Sequence, residues 1–222
     1  MVYVRTASVR MTMTAEDDFN KKWLNKFKLI SGIGLSEEEY KNWVEAKDFE
    51  RCEKYKSSLL KTSPLVIFLV EHLRRIGVDF NPSDAIHCRP CSATRGGGFS
   101  PQNGILLCSN KIFSYNQMQD ILSHELIHSW DHHRFKVDWN NLKHHACSEI
   151  RAANLSGDCK FFREFARGNV GFNKHQQECV RRRAILSLQA NFNCRSAEQA
   201  ESVVNQVFES CYNDTRPFDE IY

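Results

Sequence analysis

The sequence predicts a helix-rich α+β domain with one small antiparallel sheet, and three observations support this fold class. The 222 residues are 41% hydrophobic and 26% charged, which is the composition of a globular protein and not of a disordered or collagen-like chain. Helical periodicity, bounded by residues that start and stop helices, covers most of the chain. Only residues 84–110 combine short apolar runs with turns rich in glycine and proline, which is typical of strands.

Helix signals follow one another along the chain. Ser36-Glu37-Glu38-Glu39 is a capping box, in which the serine and the last glutamate bond each other's backbone, and it predicts a helix to about residue 58. Ser63-Pro64 begins the next helix because proline suits the first helical position, and Gly77 ends it. Further helices are predicted over residues 115–133, 142–155, 173–190 and 196–210.

The rest of the sequence pattern predicts the strands and the domain organisation. Residues 85–88 and 104–108 are the two strand candidates, and the segment between them contains Gly96-Gly97-Gly98 and a second glycine-containing turn. Residues 1–35 show little periodicity. We therefore expect a poorly structured N-terminal segment over residues 1–35 and a single domain over residues 36–222.

Composition excludes some classes of function. The longest apolar run, Leu65 to Val70, has six residues, whereas a helix that spans a bilayer needs about 20. A net charge of +3 is too small to make the whole surface attractive to nucleic acid. Residues 1–14 lack the apolar core of a secretory signal peptide.

Nine cysteines are the outstanding feature of the composition. Disulfides are favoured over a zinc ribbon or free thiols, because only Cys88 and Cys91 form the close pair that zinc modules use. The spacings between later cysteines suit bonds between helices, and the odd number leaves at least one cysteine free or bonded to another chain. Disulfides without a secretory signal require oxidation outside the secretory pathway.

The strongest functional signal is His124-Glu125-Leu126-Ile127-His128. Residues four apart on a helix differ by about 40° in direction and about 6 Å in rise, so both imidazoles can bind one metal ion. Glu125 then lies beside a metal-bound water, where it can act as the catalytic base. Zinc with three protein ligands keeps one position open and acidifies this water, so the motif indicates a zincin-like metallopeptidase.

The flanks of the motif favour zinc over a chance match. Ile121 and Leu122 precede it, Leu126 and Ile127 lie inside it, and no proline interrupts the helix. The alternative is a solvated helix with two incidental histidines, but a solvated face would not carry so many apolar neighbours.

The third zinc ligand is favoured to be Glu149. It lies 21 residues after His128, far enough for a loop and a returning helix, and its small neighbours allow two helices to pack closely. His145, Asp131, His132 or no further residue are the alternatives. If Glu149 is not a ligand, we expect it to form a salt bridge.

Two residues near the motif are candidates for supporting roles. His145 lies one turn before Glu149 and would share its face, so it could steady that ligand or the tetrahedral intermediate. An exposed histidine is the equal alternative. Asp131 could orient a histidine that binds zinc.

Two other patterns leave their function open. Arg181-Arg182-Arg183 could contact phosphate or anionic lipid headgroups, although charge runs on helices are usually solvated. Residues 105–107 could hold an extended substrate by backbone pairing, and a plain core strand is the equal alternative.

Several segments together resemble one protease family. These are His124–His128 followed by Asp131–Phe135 (DHHRF), then Ala146–Cys159 (ACSEIRAANLSGDC) and Cys179–Leu188 (CVRRRAILSL). They resemble the mitochondrial inner membrane proteases that mature an ATP synthase subunit, a family that also carries the name Ku-binding protein in some animals. The similarity runs from about Cys52 to Phe218, and the segment from Ala146 is far more specific than the zinc motif.

The resemblance implies a zinc metalloendopeptidase in the mitochondrial intermembrane space, peripheral to the inner membrane. It implies that the substrate is the precursor of a membrane-embedded ATP synthase subunit and that the protein assists assembly of the membrane sector. His124 and His128 would bind zinc, Glu125 would be the base, and oxidative folding after import would explain the cysteines. The alternatives are a nonproteolytic assembly chaperone that retains the zinc fold, and a DNA-associated metalloprotease or Ku-binding module. Only the arginine triplet supports the last, so no nucleic-acid partner is favoured.

Overall fold

The structure, a computed structural model, describes residues 15–92, 94–159 and 175–219. Within these ranges, the chain contains eight α-helices and a three-stranded sheet. The helices are α1 (Ala15–Ser31), α2 (Glu37–Thr62), α3 (Pro64–Arg75), α4 (Pro82–Ala85), α5 (Tyr115–Phe135), α6 (Leu142–Leu155), α7 (His175–Gln189) and α8 (Ala197–Tyr212). The strands are β1 (Ile86–Arg89), β2 (Gly97–Ser100) and β3 (Gly104–Cys108), and Ser109–Lys111 forms a 3₁₀ turn.

The chain falls into two compact units that are divided between Lys47 and Asp48, inside α2. Helix α1 belongs to the smaller unit and corrects the expectation that residues 1–35 are poorly structured. Its apolar residues at positions 19, 23, 27 and 30 have helical spacing. Residues 1–14 lie outside the described residues. No described helix is both long and apolar enough to cross a bilayer.

The predicted helices are confirmed to within a few residues at their ends. At the start of α2, the backbone N–H of Ser36 donates to Glu39 Oε2 at 2.8 Å and that of Glu39 donates to Ser36 Oγ at 3.3 Å, as a capping box requires. Ser114 caps α5 by accepting a hydrogen bond from the backbone N–H of Gln117. Gly77 ends α3 with a φ of 86°. Residues 173 and 174 of the predicted α7 are outside the described ranges.

The sheet is mixed, so the expectation of a purely antiparallel sheet was wrong in this detail. The strand order is β1-β3-β2, in which β1 runs parallel to β3 and β2 runs antiparallel to it. Gly104, at a φ of 72°, opens β3, and a Cβ there would lie 2.4 Å from the carbonyl oxygen of Ala85. Strand β2 was missed because its two glycines are typical of turns.

The position of β3 decides between the two interpretations of residues 105–107. Both edges of β3 are already paired, Ile105 and Leu107 are buried, and Leu106 points outward. A substrate therefore has no free edge on β3, and the plain core strand is the correct interpretation.

Two hydrophobic clusters within the larger unit meet at α5 and α6. The first joins α2, α3, the sheet and α5, and includes Leu122, Leu126, Ile127 and Trp130. The second joins α6, α7 and α8 around Ile150 and Phe208. Burial of the apolar face of α5 fixes the rotation of this helix, which turns His124 and His128 toward α6.

Four disulfides confirm the prediction of bonded cysteines. The pairs are Cys52–Cys88, Cys91–Cys108, Cys147–Cys211 and Cys159–Cys179, and Cys194 is free. Cys88 and Cys91 are thus bonded to different partners and do not form the close metal-binding pair of a zinc module. The bond between Cys147 and Cys211 joins α6 to α8.

Candidate metal centre

Three residues of the predicted zinc site converge between α5 and α6. His124 Nε2 lies 3.4 Å from Glu149 Oε2, and His128 Nε2 lies 3.5 Å from Glu149 Oε1. One donor atom from each of the three residues lies within 4.8 Å of the others. His128 and Glu149 are buried and His124 is half-buried, so the site is largely shielded from solvent.

The donor set fits a tetrahedral zinc ion. Bonds of about 2.0–2.1 Å at tetrahedral angles separate neighbouring ligand atoms by about 3.3–3.4 Å. The histidine–carboxylate separations of 3.4 and 3.5 Å are close to this value, although they reach different oxygens of Glu149. Two imidazoles and one carboxylate also form a ligand set typical of catalytic zinc sites.

Glu125 lies beside this group without belonging to it. It is buried, and a Cβ placed on Gly97 would lie 3.5 Å from Glu125 Cγ, so β2 covers the residue closely. Burial raises the pKa of Glu125, the histidines at 124 and 128 lower it, and Glu149 and Asp158 raise it again. The pKa of this carboxyl is raised overall, which makes it a better proton acceptor than a free glutamate.

A chain of buried polar groups holds His128. Ser148 Oγ donates to Asp131 Oδ2 at 2.9 Å and lies 2.7 Å from His128 Nδ1. The single hydroxyl proton faces a carboxylate, so the hydroxyl oxygen must accept the N–H of His128 Nδ1. This tautomer leaves His128 Nε2 with its lone pair directed at the metal position. Asp131 therefore contacts His128 through Ser148.

Arg151 completes this chain on the far side of Asp131. Its Nε donates to Asp131 Oδ1 at 3.0 Å, its Nη1 lies 2.7 Å from Asp214 Oδ1, and its guanidinium also donates to the backbone carbonyl of Arg216. Burial raises the pKa of Asp131, although Arg151 and Ser148 oppose this effect. A fully buried arginine thus ties the last described segment to the helix that carries His128.

Glu149 is held by hydrogen bonds from α6 and from the region of α7. Ser187 Oγ donates to Glu149 Oε1 at 2.6 Å, and His145 Nε2 lies 3.2 Å from the same oxygen. Asn191 Nδ2 donates to His145 Nδ1 at 2.8 Å, which leaves the proton of the neutral ring on Nε2, facing Glu149. His145 therefore contacts the carboxylate and is not an exposed histidine.

The site has a strongly negative environment. Burial lowers the pKa of His124, but the carboxylates of Asp158 and Glu149, 3.3 and 3.4 Å from its ring nitrogens, outweigh this effect and raise the pKa to about 10. Burial raises the pKa of Glu149, but the attraction of His128 and the close contacts of His124, His128 and His145 hold this pKa well below its usual range. Carboxylates that hold protons on imidazoles so firmly also attract a divalent cation.

His132 and the arginine triplet, which are also candidates from the sequence, lie outside the group formed by His124, His128 and Glu149. His132 Nδ1 accepts a hydrogen bond from Trp139 Nε1 at 3.3 Å, and its ring packs near Phe99 and Trp139. Arg181 donates to Asn205 and Glu209, and Arg183 Nη2 lies 2.7 Å from Asp158 Oδ2.

The residues that support the ligands could not be found from sequence spacing. Ser187 and Asp158 come next to the site only when α7 and the end of α6 fold against it. Trp139, whose ring centre lies 5.6 Å from those of His128 and His145, forms an aromatic wall. No periodicity in the sequence signals these three positions.

Comparisons with known proteins agree with the geometry. Residues 50–219 match the model of the Peptidase M76 family. A relative from Aspergillus clavatus, named mitochondrial inner membrane protease atp23, is 47% identical over 214 residues, which are 93% of this chain and 90% of the relative. Proteins of the same name from Schizosaccharomyces pombe and Meyerozyma guilliermondii are each 47% identical and cover 83% and 90% of this chain, and 99% and 86% of their own lengths. No solved structure matches the chain.

Proposed function

Because the chain belongs to the peptidase M76 family, we propose that it is a zinc-dependent endopeptidase. His124, His128 and Glu149 hold the zinc ion, and Glu125 is the general base. The convergence of these three residues, with one donor atom of each within 4.8 Å of the others, carries the proposal. A zinc ion with three protein ligands polarises a carbonyl group and lowers the pKa of water.

In the proposed reaction Glu125 moves the protons. Its carboxylate accepts a proton from the water that attacks the scissile carbonyl carbon, and the carboxylic acid then gives a proton to the departing amine. The C–N bond breaks as the amine leaves, and one water molecule is consumed. The burial of Glu125 under Gly97 keeps competing solvent away from this carboxylate.

The open edge of β2 is the proposed place for the substrate backbone. Strand β2 pairs only with β3 among the described residues, and its Gly97 packs against Glu125. An extended peptide could add to this edge through backbone hydrogen bonds. These bonds alone would hold its backbone close to Glu125. The rings of Phe99 and Trp139, 5.9 Å apart, would then contact its side chains.

The proposed location is the mitochondrial intermembrane space, at the periphery of the inner membrane. The relatives are named mitochondrial inner membrane proteases, and four disulfides suit an oxidising compartment. The proposed substrate is the precursor of a membrane-sector subunit of ATP synthase, and a role in assembling that sector accompanies cleavage.

A DNA-associated or Ku-binding role loses its local support. Arg181 bonds Asn205 and Glu209 and stacks on Phe208, while Arg183 pairs with Asp158. A nonproteolytic assembly role, by contrast, is compatible with the same fold and needs a variant that separates it from cleavage.

The variant Glu125→Gln separates an assembly role from cleavage. Cleavage of the purified precursor subunit should fall by about 10²–10⁴-fold while bound zinc and the folded state are retained. Glu178→Gln, an exposed glutamate on α7, is the matched control and should cleave at the rate of the unmodified chain. Full cleavage by Glu125→Gln would refute the assignment of the base, and ATP synthase assembly that survives in this variant would establish a separate assembly role.

A further inference from the structure

Helix α1 carries an apolar face over residues 19–30, interrupted by Asn20, that the structure leaves exposed. The exposed fractions of its large side chains range from 41% for Phe27 to 67% for Phe19 and Ile30, with Trp23 and Leu24 between them. Single exposed apolar residues are normal on protein surfaces, but a contiguous row of aromatic and aliphatic side chains marks an interaction surface.

These side chains share one side of the helix. At 100° per residue, the five fall within an arc of about 140°. The rings of Trp23 and Phe27 are stacked with centres 5.7 Å apart, which confirms that successive turns present one apolar strip. The helix is about 25 Å long, so the strip runs along most of its length.

Lysines border both sides of this strip. Lys22 and Lys26, one turn apart, follow its first edge, and Lys21 and Lys28, two turns apart, follow its second edge. Lys21, Lys22 and Lys26 are exposed. The acidic residues of α1 are at positions 16–18, before the lysines begin.

We propose that α1 binds the surface of an anionic phospholipid bilayer and lies in its plane. Interfacial helices carry Trp, Phe and Leu on one face and Lys along the margins of that face. The aromatic rings enter the headgroup region, and the ammonium groups contact the lipid phosphates. The lysines on both margins favour an anionic lipid surface over an apolar groove of a protein. This inference rests on the proposed location at the inner membrane and not on the zinc site.

Sedimentation with vesicles tests the proposal on the full chain. Vesicles of phosphatidylcholine with roughly one fifth phosphatidylglycerol should bind the chain, and vesicles of phosphatidylcholine alone should bind it much more weakly. Trp23→Ser/Phe27→Ser should reduce binding at least about tenfold. Lys22→Gln/Lys26→Gln should also reduce it about tenfold and flatten its dependence on salt.

A matched control and a folding check make the result decisive. Phe192→Ser removes an exposed aromatic ring outside α1 and should leave vesicle binding unchanged. Peptidase activity in vesicle-free buffer should be equal in all variants, so failure of the membrane proposal and failure of the peptidase proposal are separate outcomes. Vesicle binding by Trp23→Ser/Phe27→Ser at the level of the unmodified chain would overturn the proposal. Self-association without vesicle binding, lost in this variant, would assign the face to a second copy instead.

Discussion

Removal of the Ser148 hydroxyl is the smallest change that tests how the histidine ligands of the proposed metal centre are held in place. This hydroxyl is the link between His128 Nδ1, 2.7 Å away, and Asp131 Oδ2, 2.9 Å away. Ser148→Ala removes only an oxygen atom from a fully packed position, so the backbone of α6 should be unaffected. Both former partners would stay buried, and among the described residues neither atom has a second hydrogen-bond partner.

The expected effects follow from these two contacts. A buried donor or acceptor that loses its partner costs about 1–3 kcal/mol, so the metal-free protein should lose about 2–4 kcal/mol of unfolding free energy. Because Asp131 keeps its hydrogen bond from Arg151, we expect the loss of unfolding free energy to lie toward the lower end of this range. Because the tautomer of His128 is no longer fixed, zinc affinity should fall about 10–100-fold, or about 1.4–2.8 kcal/mol.

Competition with a chromophoric chelator measures the zinc affinity, and urea titration of the metal-free chain measures stability. Ser123→Ala is the matched control, because Ser123 is also a buried serine but its hydroxyl has no hydrogen-bond partner among the described residues. It should bind zinc as the unmodified chain does. Zinc affinity of Ser148→Ala within about twofold of the unmodified chain, or an equal loss in Ser123→Ala, would refute the reasoning.

Further substitutions test the fold that supports the site. Arg151→Met leaves the buried carboxylate of Asp131 without its ion partner and should lower the unfolding free energy by about 3–5 kcal/mol in urea; a loss below about 1 kcal/mol would contradict the assigned ion pair. Cys147→Ala/Cys211→Ala opens a loop of 64 residues and should cost about 4 kcal/mol, whereas an unchanged midpoint would show that the bond is absent. Thiol titration of the denatured, nonreduced chain should find about one thiol, which Cys194→Ala removes; several thiols per chain would contradict the disulfide pattern.

Local signals were sufficient for α2, α3 and α5–α8 and for placing His124 and His128 on one face of α5. Ser36, Ser63 and Ser114 precede helices that begin where a capping side chain can accept backbone N–H groups. The spacing of His124 and His128 fixes their relative direction as soon as the segment is helical, so no tertiary information was needed. Glu149 could be favoured because a carboxylate on a returning helix is a common third ligand.

Features that depend on packing between distant segments could not be predicted. Strand β2 contains glycines because a Cβ at Gly97 would lie 2.8 Å from Ile121 Cγ2, which is a contact between a strand and a helix that no local pattern reveals. The contact of Ser187 with Glu149 joins residues that are 38 positions apart. The parallel pairing of β1 with β3 likewise depends on where the intervening hairpin folds back.

The most direct test of the proposed metal centre is zinc content after equilibrium dialysis, compared between the unmodified chain and Glu149→Gln. We expect about one zinc ion per unmodified chain and clear substoichiometric binding in the variant, because two imidazoles alone leave the ion without its charged ligand. Absence of stoichiometric zinc from the folded, unmodified chain, or full retention of zinc by Glu149→Gln, would contradict the account.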